Sequence, residues 1–162
     1  MSEARKLPAP EATPETQPFW DAAREGRLLI KRCGGCGEAH YPPRGPCPFC
    51  HAPETAWEEA KGTGSVYSFS VMRRGPGAPY AIGYVELDEG PRMLTNIVAG
   101  DGESETADAR AAGQDGNAAP GSAPTAPPAS LAIGDRVCLT FTETEEGGAP
   151  VPFFTPAGSS SS

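Results

Sequence analysis

Two CxxC pairs constrain the first third of this chain more than any other feature. They are Cys33-Gly34-Gly35-Cys36 and Cys47-Pro48-Phe49-Cys50, with residues 37–46 between them. Each pair forms a tight knuckle whose two sulfurs point the same way, and the loop brings the second knuckle opposite the first. Four thiolates so placed close a tetrahedral site around one metal ion and leave no position open to water. Gly34, Gly35 and Gly37 suit a knuckle, where backbone amides approach sulfur and positive φ angles are common. Pro46 and Pro48 stiffen the return by fixing φ. Zinc is the default ion and iron the alternative, because thiolate sites accept both. Two disulfides are the competing reading. No apolar signal segment precedes the cysteines to point to an oxidising compartment, so the expectation is a metal site in a cytoplasmic protein.

Composition narrows the partners. The 162 residues carry a formal net charge of −8, which disfavours nucleic acid as a ligand, since a phosphate backbone needs a basic surface. No run of about 18 apolar residues occurs, so no membrane-spanning helix is expected. With 20 Gly, 19 Pro and only 38% hydrophobic residues, the chain should be rich in loops and hold disordered parts.

The pattern along the chain supplies the rest. Residues 1–16 are polar and Pro-rich and read as a disordered leader. A short helix follows, with Pro18 in its first turn, Gly26 as its C-terminal cap, and Phe19, Trp20 and Ala23 on one side. So short a helix is unstable alone and must pack its aromatics on the rest of the chain or on a partner. Residues 27–32 read as a strand entering the first knuckle and 39–42 as its return, so 17–60 form a helix plus a zinc ribbon. The four cysteines already fill a tetrahedral site, which leaves His40 and His51 as neighbours rather than ligands. Trp57 should cap the ribbon or begin the next core.

Residues 64–71 alternate small polar with apolar, the period of a half-buried strand, with Tyr67 and Phe69 sharing the core face. Residues 72–80 form a loop, 81–87 and 92–98 a hairpin around Asp88-Glu89-Gly90, 136–142 a strand, and 151–156 a last, Pro-bounded edge strand. Val137, Leu139 and Phe141 share one face of the fourth strand, and Cys138 on the other is a small buried filler. Residues 101–130 hold no aromatic residue and no Val, Ile, Leu or Met, and read as a disordered insertion. Residues 157–162 are a disordered tail. The chain is therefore mainly β: a short N-terminal helix, a ribbon, and a five-stranded OB-type barrel over 61–156, although strand count alone does not separate an OB-fold from an SH3-like barrel.

The ordered set of motifs resembles a known family. The Phe19-Trp20 helix, the four ribbon cysteines, Gly64-Ser65-Val66-Tyr67-Ser68-Phe69, the run from Ala81 to Gly90, the run from Leu131 to Val137, and Phe153-Phe154-Thr155-Pro156 follow one another as they do in acyl-CoA-associated OB-fold proteins with an N-terminal rubredoxin-like zinc ribbon, domain-of-unknown-function family thirty-five. The resemblance covers about 17–100 and 131–156; the 101–130 segment departs from the compact pattern. It implies an accessory subunit that docks through its ribbon and helix on a thiolase-like acyltransferase or aldolase, or on a hot-dog-fold hydratase, in a hetero-oligomer. It implies that Cys33, Cys36, Cys47 and Cys50 hold zinc and that the OB domain helps to bind or channel an acyl-CoA. The residues agree in offering no Ser/His/Asp set and only two histidines, both in or beside the ribbon, so no catalytic residue is assigned. Arg73 and Arg74, beside Gly75-Pro76-Gly77, are candidates for the phosphates of a CoA, since guanidinium pairs well with phosphate, and Tyr80 is a candidate for its adenine. The alternatives are a rubredoxin-like electron carrier, an independent acyl-CoA-binding enzyme and, last, a nucleic-acid-binding OB module.

Overall fold

The computed structural model describes residues 7–73, 79–100 and 127–157. Helix α1 (Gln17–Arg24) begins at Thr16 with Pro18 in its first turn, where a missing N–H removes no intrahelical bond. It ends at Gly26, whose φ of +76° is left-handed backbone that a side chain disfavours. Gly26 N–H donates to Ala23 O at 3.0 Å and Arg27 N–H to Ala22 O at 2.9 Å, a Schellman pair that satisfies two terminal carbonyls. Phe19, Ala22 and Ala23 are buried, and the Phe19 ring lies 4.8 Å from Trp20 and 5.9 Å from Tyr41. The aromatics thus dock on this chain's own ribbon, and Phe19 is not offered to a partner.

Residues 28–60 form a small antiparallel sheet in the order β2-β1-β3: β1 (Leu29–Cys33), β2 (Ala39–His40) and β3 (Thr55–Glu59). The first two are the expected strands, with β2 stopping short of Tyr41. The third is new: Trp57 neither caps the ribbon from outside nor starts the barrel, but pairs with Lys31 in the sheet. Lys31 Nζ lies 4.7 Å from the centre of the Trp57 ring, and Arg32 is forked onto Glu58 from β1 to β3.

The remaining strands close a barrel in the order β4-β5-β6-β8-β7: β4 (Thr63–Met72), β5 (Tyr80–Leu87), β6 (Arg92–Ile97), β7 (Arg136–Thr142) and β8 (Val151–Pro156). Alternation sets its interior, with Val66, Val85, Leu87, Met93, Ile97, Val137 and Phe154 fully buried. One core joins ribbon to barrel, since Phe19, Leu28 and Ile30 belong to the same cluster as these residues. At Gly83 the strands come so close that a Cβ would sit 2.2 Å from the Ser68 carbonyl oxygen, so only glycine fits.

Three expectations are corrected. Tyr67 does not face the core: Val66 before it is buried, so Tyr67 points outward, and a bulge between Val66 and Ser68 shifts the phase so that Phe69 faces inward. The last strand is not an edge, because β8 pairs along its length with β7 and, at Ile97 and Phe154, in parallel with β6. Cys138 is half-buried rather than buried. Within residues 7–16, Leu7 O accepts from Glu145 N–H at 2.9 Å, and Glu15 accepts from the Gly45 N–H. Residues 101–126 of the expected insertion, and 158–162 of the tail, lie outside the described residues.

The barrel is pinned near its β5–β6 turn by a two-pronged ion pair. Arg136 of β7 donates to the two carboxylate oxygens of Asp88 at 2.8 and 2.9 Å, and the Thr63 hydroxyl donates to the same group. These partners, Arg136 foremost, hold the Asp88 carboxyl well below the usual carboxylate range. A group whose pKa is depressed by folding contributes stability above its unfolded value of about 4, and that stability fades as pH falls toward the folded value. Asp88→Asn is therefore expected to lower the melting temperature at neutral pH, with the gap to the parent narrowing below about pH 4. Melts of both proteins across this range check it; a gap that stays constant would show that the charge on Asp88 contributes nothing.

Candidate metal centre

Both knuckles are shaped by backbone amides aimed at sulfur. Gly35 and Cys36 donate N–H to Cys33 Sγ at 3.2 and 3.4 Å, and Phe49 donates to Cys47 Sγ at 3.4 Å. At Gly35 a Cβ would lie 3.0 Å from the Ala52 side chain, so the first knuckle needs a small residue there. Gly37 takes a φ of +77° to leave the first turn, and His51 takes one of +63° after the second. β1 delivers Cys33 and the return from Cys50 leads into β3, which pairs Thr55 with Cys33.

The result is a cluster of four sulfurs all within 4.8 Å of one another. Cys33 and Cys50 Sγ are 3.5 Å apart, and Cys36 and Cys47 Sγ are 3.7 Å apart. These separations match the edge of a tetrahedron with metal–sulfur bonds of about 2.3 Å, which is about 3.8 Å. All four cysteines are free thiols, so the disulfide reading falls away. Cys33 and Cys47 are buried and Cys36 and Cys50 lie on the outer side.

The electrostatics of the thiols fit a cation. The N–H groups of Cys36 and Gly35 overcome desolvation and lower the Cys33 thiol to about 6. The Glu38 N–H acts to lower Cys36 too, but desolvation and the Cys50, Cys47 and Cys33 sulfurs outweigh it and push that thiol up to about 12. One thiolate forms readily and the next resists, because desolvation and hydrogen bonds to the neighbouring sulfurs keep the proton on Cys36. A divalent ion displaces those protons and lets all four ionise, so the residues present fit a thiolate-bound metal.

The histidines stand outside the cluster. His40 is buried with Nε2 3.5 Å from Arg44 O and no partner on Nδ1, and His51 is exposed. Of the residues expected to meet a CoA, Arg73 is exposed at the end of β4 and Tyr80 opens β5 opposite Met72, so these two share one end of a hairpin; Arg74 lies outside the described residues. A groove of about 330 Å³ was not foreseen. It lies where the ribbon meets the barrel, lined by Tyr41, Arg44, Phe49 and Arg92 among others. Its two walls come from segments more than forty residues apart, and no local pattern announces such a meeting.

Comparison with known proteins agrees with this architecture. Residues 20–56 match the family model "ChsH2, rubredoxin-like zinc ribbon domain" and residues 57–113 match "ChsH2, C-terminal OB-fold domain". A probable enoyl-CoA hydratase alpha subunit of Thermomonospora curvata is 42% identical over 49% of this chain, and the match spans only 27% of that protein's length. The benzoylsuccinyl-CoA thiolase subunit BbsA of Thauera aromatica is 32% identical over 60% of this chain and 74% of its own. In the solved structure of the Ltp2-ChsH2(DUF35) aldolase, one chain superposes with a TM-score of 0.64 at 30% identity, covering 91% of this chain and 98% of that one. A rubredoxin-like ribbon carrying four free cysteines, followed by a closed five-stranded barrel, makes this chain a member of the DUF35 family in its ChsH2 form.

Proposed function

We propose that this chain is a non-catalytic, zinc-bearing subunit that docks on a thiolase-like acyltransferase or aldolase and helps it to hold an acyl-CoA. What supports this most is the likeness over almost a whole chain to the protein solved with Ltp2 as an aldolase, joined by the likeness to a named thiolase subunit. The likeness to a hydratase alpha subunit makes a hot-dog-fold hydratase the second candidate partner. The four-sulfur site supports a structural role for its metal. Once four thiolates coordinate, no position is left for water or substrate, and zinc there holds the fold rather than turning over a bond. The residues that hold it are Cys33, Cys36, Cys47 and Cys50. Arg73, Arg74 and Tyr80 are the proposed contacts for the phosphates and adenine of the CoA, and the cytoplasm, where thiols stay reduced, is the proposed location.

Affinity purification of the tagged chain from its native lysate tests the reading. The expected result is a stoichiometric thiolase-like or hydratase-like subunit, with about one zinc per chain and no colour. A solitary red protein would replace it with the iron electron carrier, since a ferric thiolate site absorbs visible light whereas zinc has a filled d shell.

A further inference from the structure

The outer face of strands β4–β6 carries an apolar patch, set among Ser68, Ser70, Asn96 and the Glu86–Arg92 pair. Tyr84 is 44% exposed and Leu94, directly across from it in the ladder, is 52% exposed. Ile82 follows one pleat along β5, 37% exposed, and Tyr67, next to the buried Val66, points outward from β4, 48% exposed. Alternation explains where these side chains point, but not why they are tyrosine, leucine and isoleucine. Tyrosine on a rigid sheet is a typical anchor of protein interfaces.

The charges beside this patch cancel. Arg92 pairs with Glu86 across the ladder at 2.8 Å and lays its guanidinium 3.8 Å above the Tyr67 ring. Arg92 also lines the groove at the ribbon, so the patch continues to Phe49, which is 62% exposed. At the far rim stands Arg44. Arg24, Arg27, Arg32, Arg92 and Arg136 each hold a carboxylate, whereas Arg44 is exposed and holds none among the described residues. An unpaired cation beside an aromatic side chain, in a chain of net charge −8, invites an anion from outside.

We infer that this face, from Ile82, Tyr84 and Leu94 through Tyr67 to Phe49 and Arg44, is where the partner enzyme docks, and that the partner meets it with an apolar surface and one carboxylate side chain seated at Arg44. The inference rests on the accessory-subunit reading and assigns it a surface. A second copy of this chain fits less well, because face-to-face pairing sets two chains of −8 against each other and the face's own carboxylate, Glu86, is already held by Arg92 and is not free for a second copy's Arg44.

The test is co-expression of the tagged chain with the thiolase-like subunit, read as partner recovered per tagged chain. The variants are Tyr84→Glu with Leu94→Glu, Arg44→Glu alone, and Glu143→Lys at the end of β7 across the barrel as a control. Zinc content and the thermal transition certify the fold of each; if the double Glu variant fails them, the milder pair Tyr84→Thr with Leu94→Thr is read instead. The expected result is at least a tenfold loss for the face pair, a smaller loss for Arg44→Glu, and no change for the control. Equal recovery by the wild type and the face pair overturns the inference and leaves the accessory reading standing. A wild type that recovers no thiolase-like subunit overturns both. A wild-type homodimer split by the face pair gives the face to a second copy, and overturns the assignment to a partner enzyme.

Discussion

Cys47→Ser is expected to empty the metal site and unfold the ribbon. Cys47 is fully buried, and its backbone fixes the second knuckle by donating to Ala52 O at 2.9 Å and accepting from His51 N–H at 3.0 Å. Serine keeps those backbone bonds but replaces a thiolate with a hydroxyl that stays neutral, leaving three ligands. Apart from the metal, residues 33–54 are held by two registered β1–β2 pairs, Lys31 with His40 and Arg32 with Ala39, and by scattered hydrogen bonds such as Gly34 N–H to Glu54 O at 2.9 Å and the Thr55 hydroxyl to Gly45 O at 2.6 Å. A structural zinc site is worth about 10–16 kcal/mol of folding free energy, against a total stability of about 5–15 kcal/mol for a whole domain. Losing even half of it exceeds what the small sheet can supply. The effect should also reach the barrel, because Phe19, Leu28 and Ile30 share its core. Metal analysis and limited proteolysis check this: the variant should bind far less than one zinc per chain and be cut between residues 34 and 54. Cys138→Ser, on β7 and outside the cluster, should keep its metal and resist the protease. A Cys47→Ser protein with full metal and the parent's protease resistance would mean that three thiolates and the ribbon sheet suffice.

The metal centre was legible because its information is local. Two knuckles of fixed spacing state both the ligands and the closeness of the sulfurs, and the structure adds only the N–H···S bonds. The barrel strands were legible in place and number because alternation repeats along each. What alternation does not carry is phase across an irregularity. Ser65-Val66-Tyr67-Ser68-Phe69 reads as an unbroken alternation, yet Tyr67 faces out beside the buried Val66, and the bulge inserts one residue, so that Phe69 faces inward as Val66 does. β3 was missed for a related reason. Thr55-Ala56-Trp57-Glu58-Glu59 shows no apolar stripe, because the strand is held by Lys31 over Trp57 and by Arg32 on Glu58, partners that register alone brings together. The contacts from Leu7 to Glu145 and from Glu15 to Gly45 likewise join segments that no pattern in a Pro-rich leader connects.

The prolines of β8 misled in an instructive way, and they point to the residue on which barrel closure depends. Pro152 and Pro156 lack the N–H that a central strand needs on both sides, which argues for an edge. β8 sits between β6 and β7 all the same, because its β6 side requires almost no ladder: one parallel pair, Ile97 with Phe154. That seam is closed by three other contacts. Val98 N–H donates to Phe154 O at 2.8 Å, the Thr95 hydroxyl donates to Pro152 O at 3.0 Å, and the Phe154 ring is fully buried in the core beneath. With so few bonds across it, the seam depends on the ring. Phe154→Ala should destabilise the protein by about 3–5 kcal/mol, the usual result of deleting a buried phenylalanine in a packed core. That is a large part of a domain's total of about 5–15 kcal/mol. The loss should be uneven: the Val98 amide should exchange its hydrogen much faster, while amides in the long β4–β5 ladder should change only through global unfolding. Chemical denaturation and hydrogen exchange read these two effects separately. A loss below about 1 kcal/mol, with Val98 still protected, would show that neighbouring side chains collapse into the space and that the backbone bonds alone close the barrel.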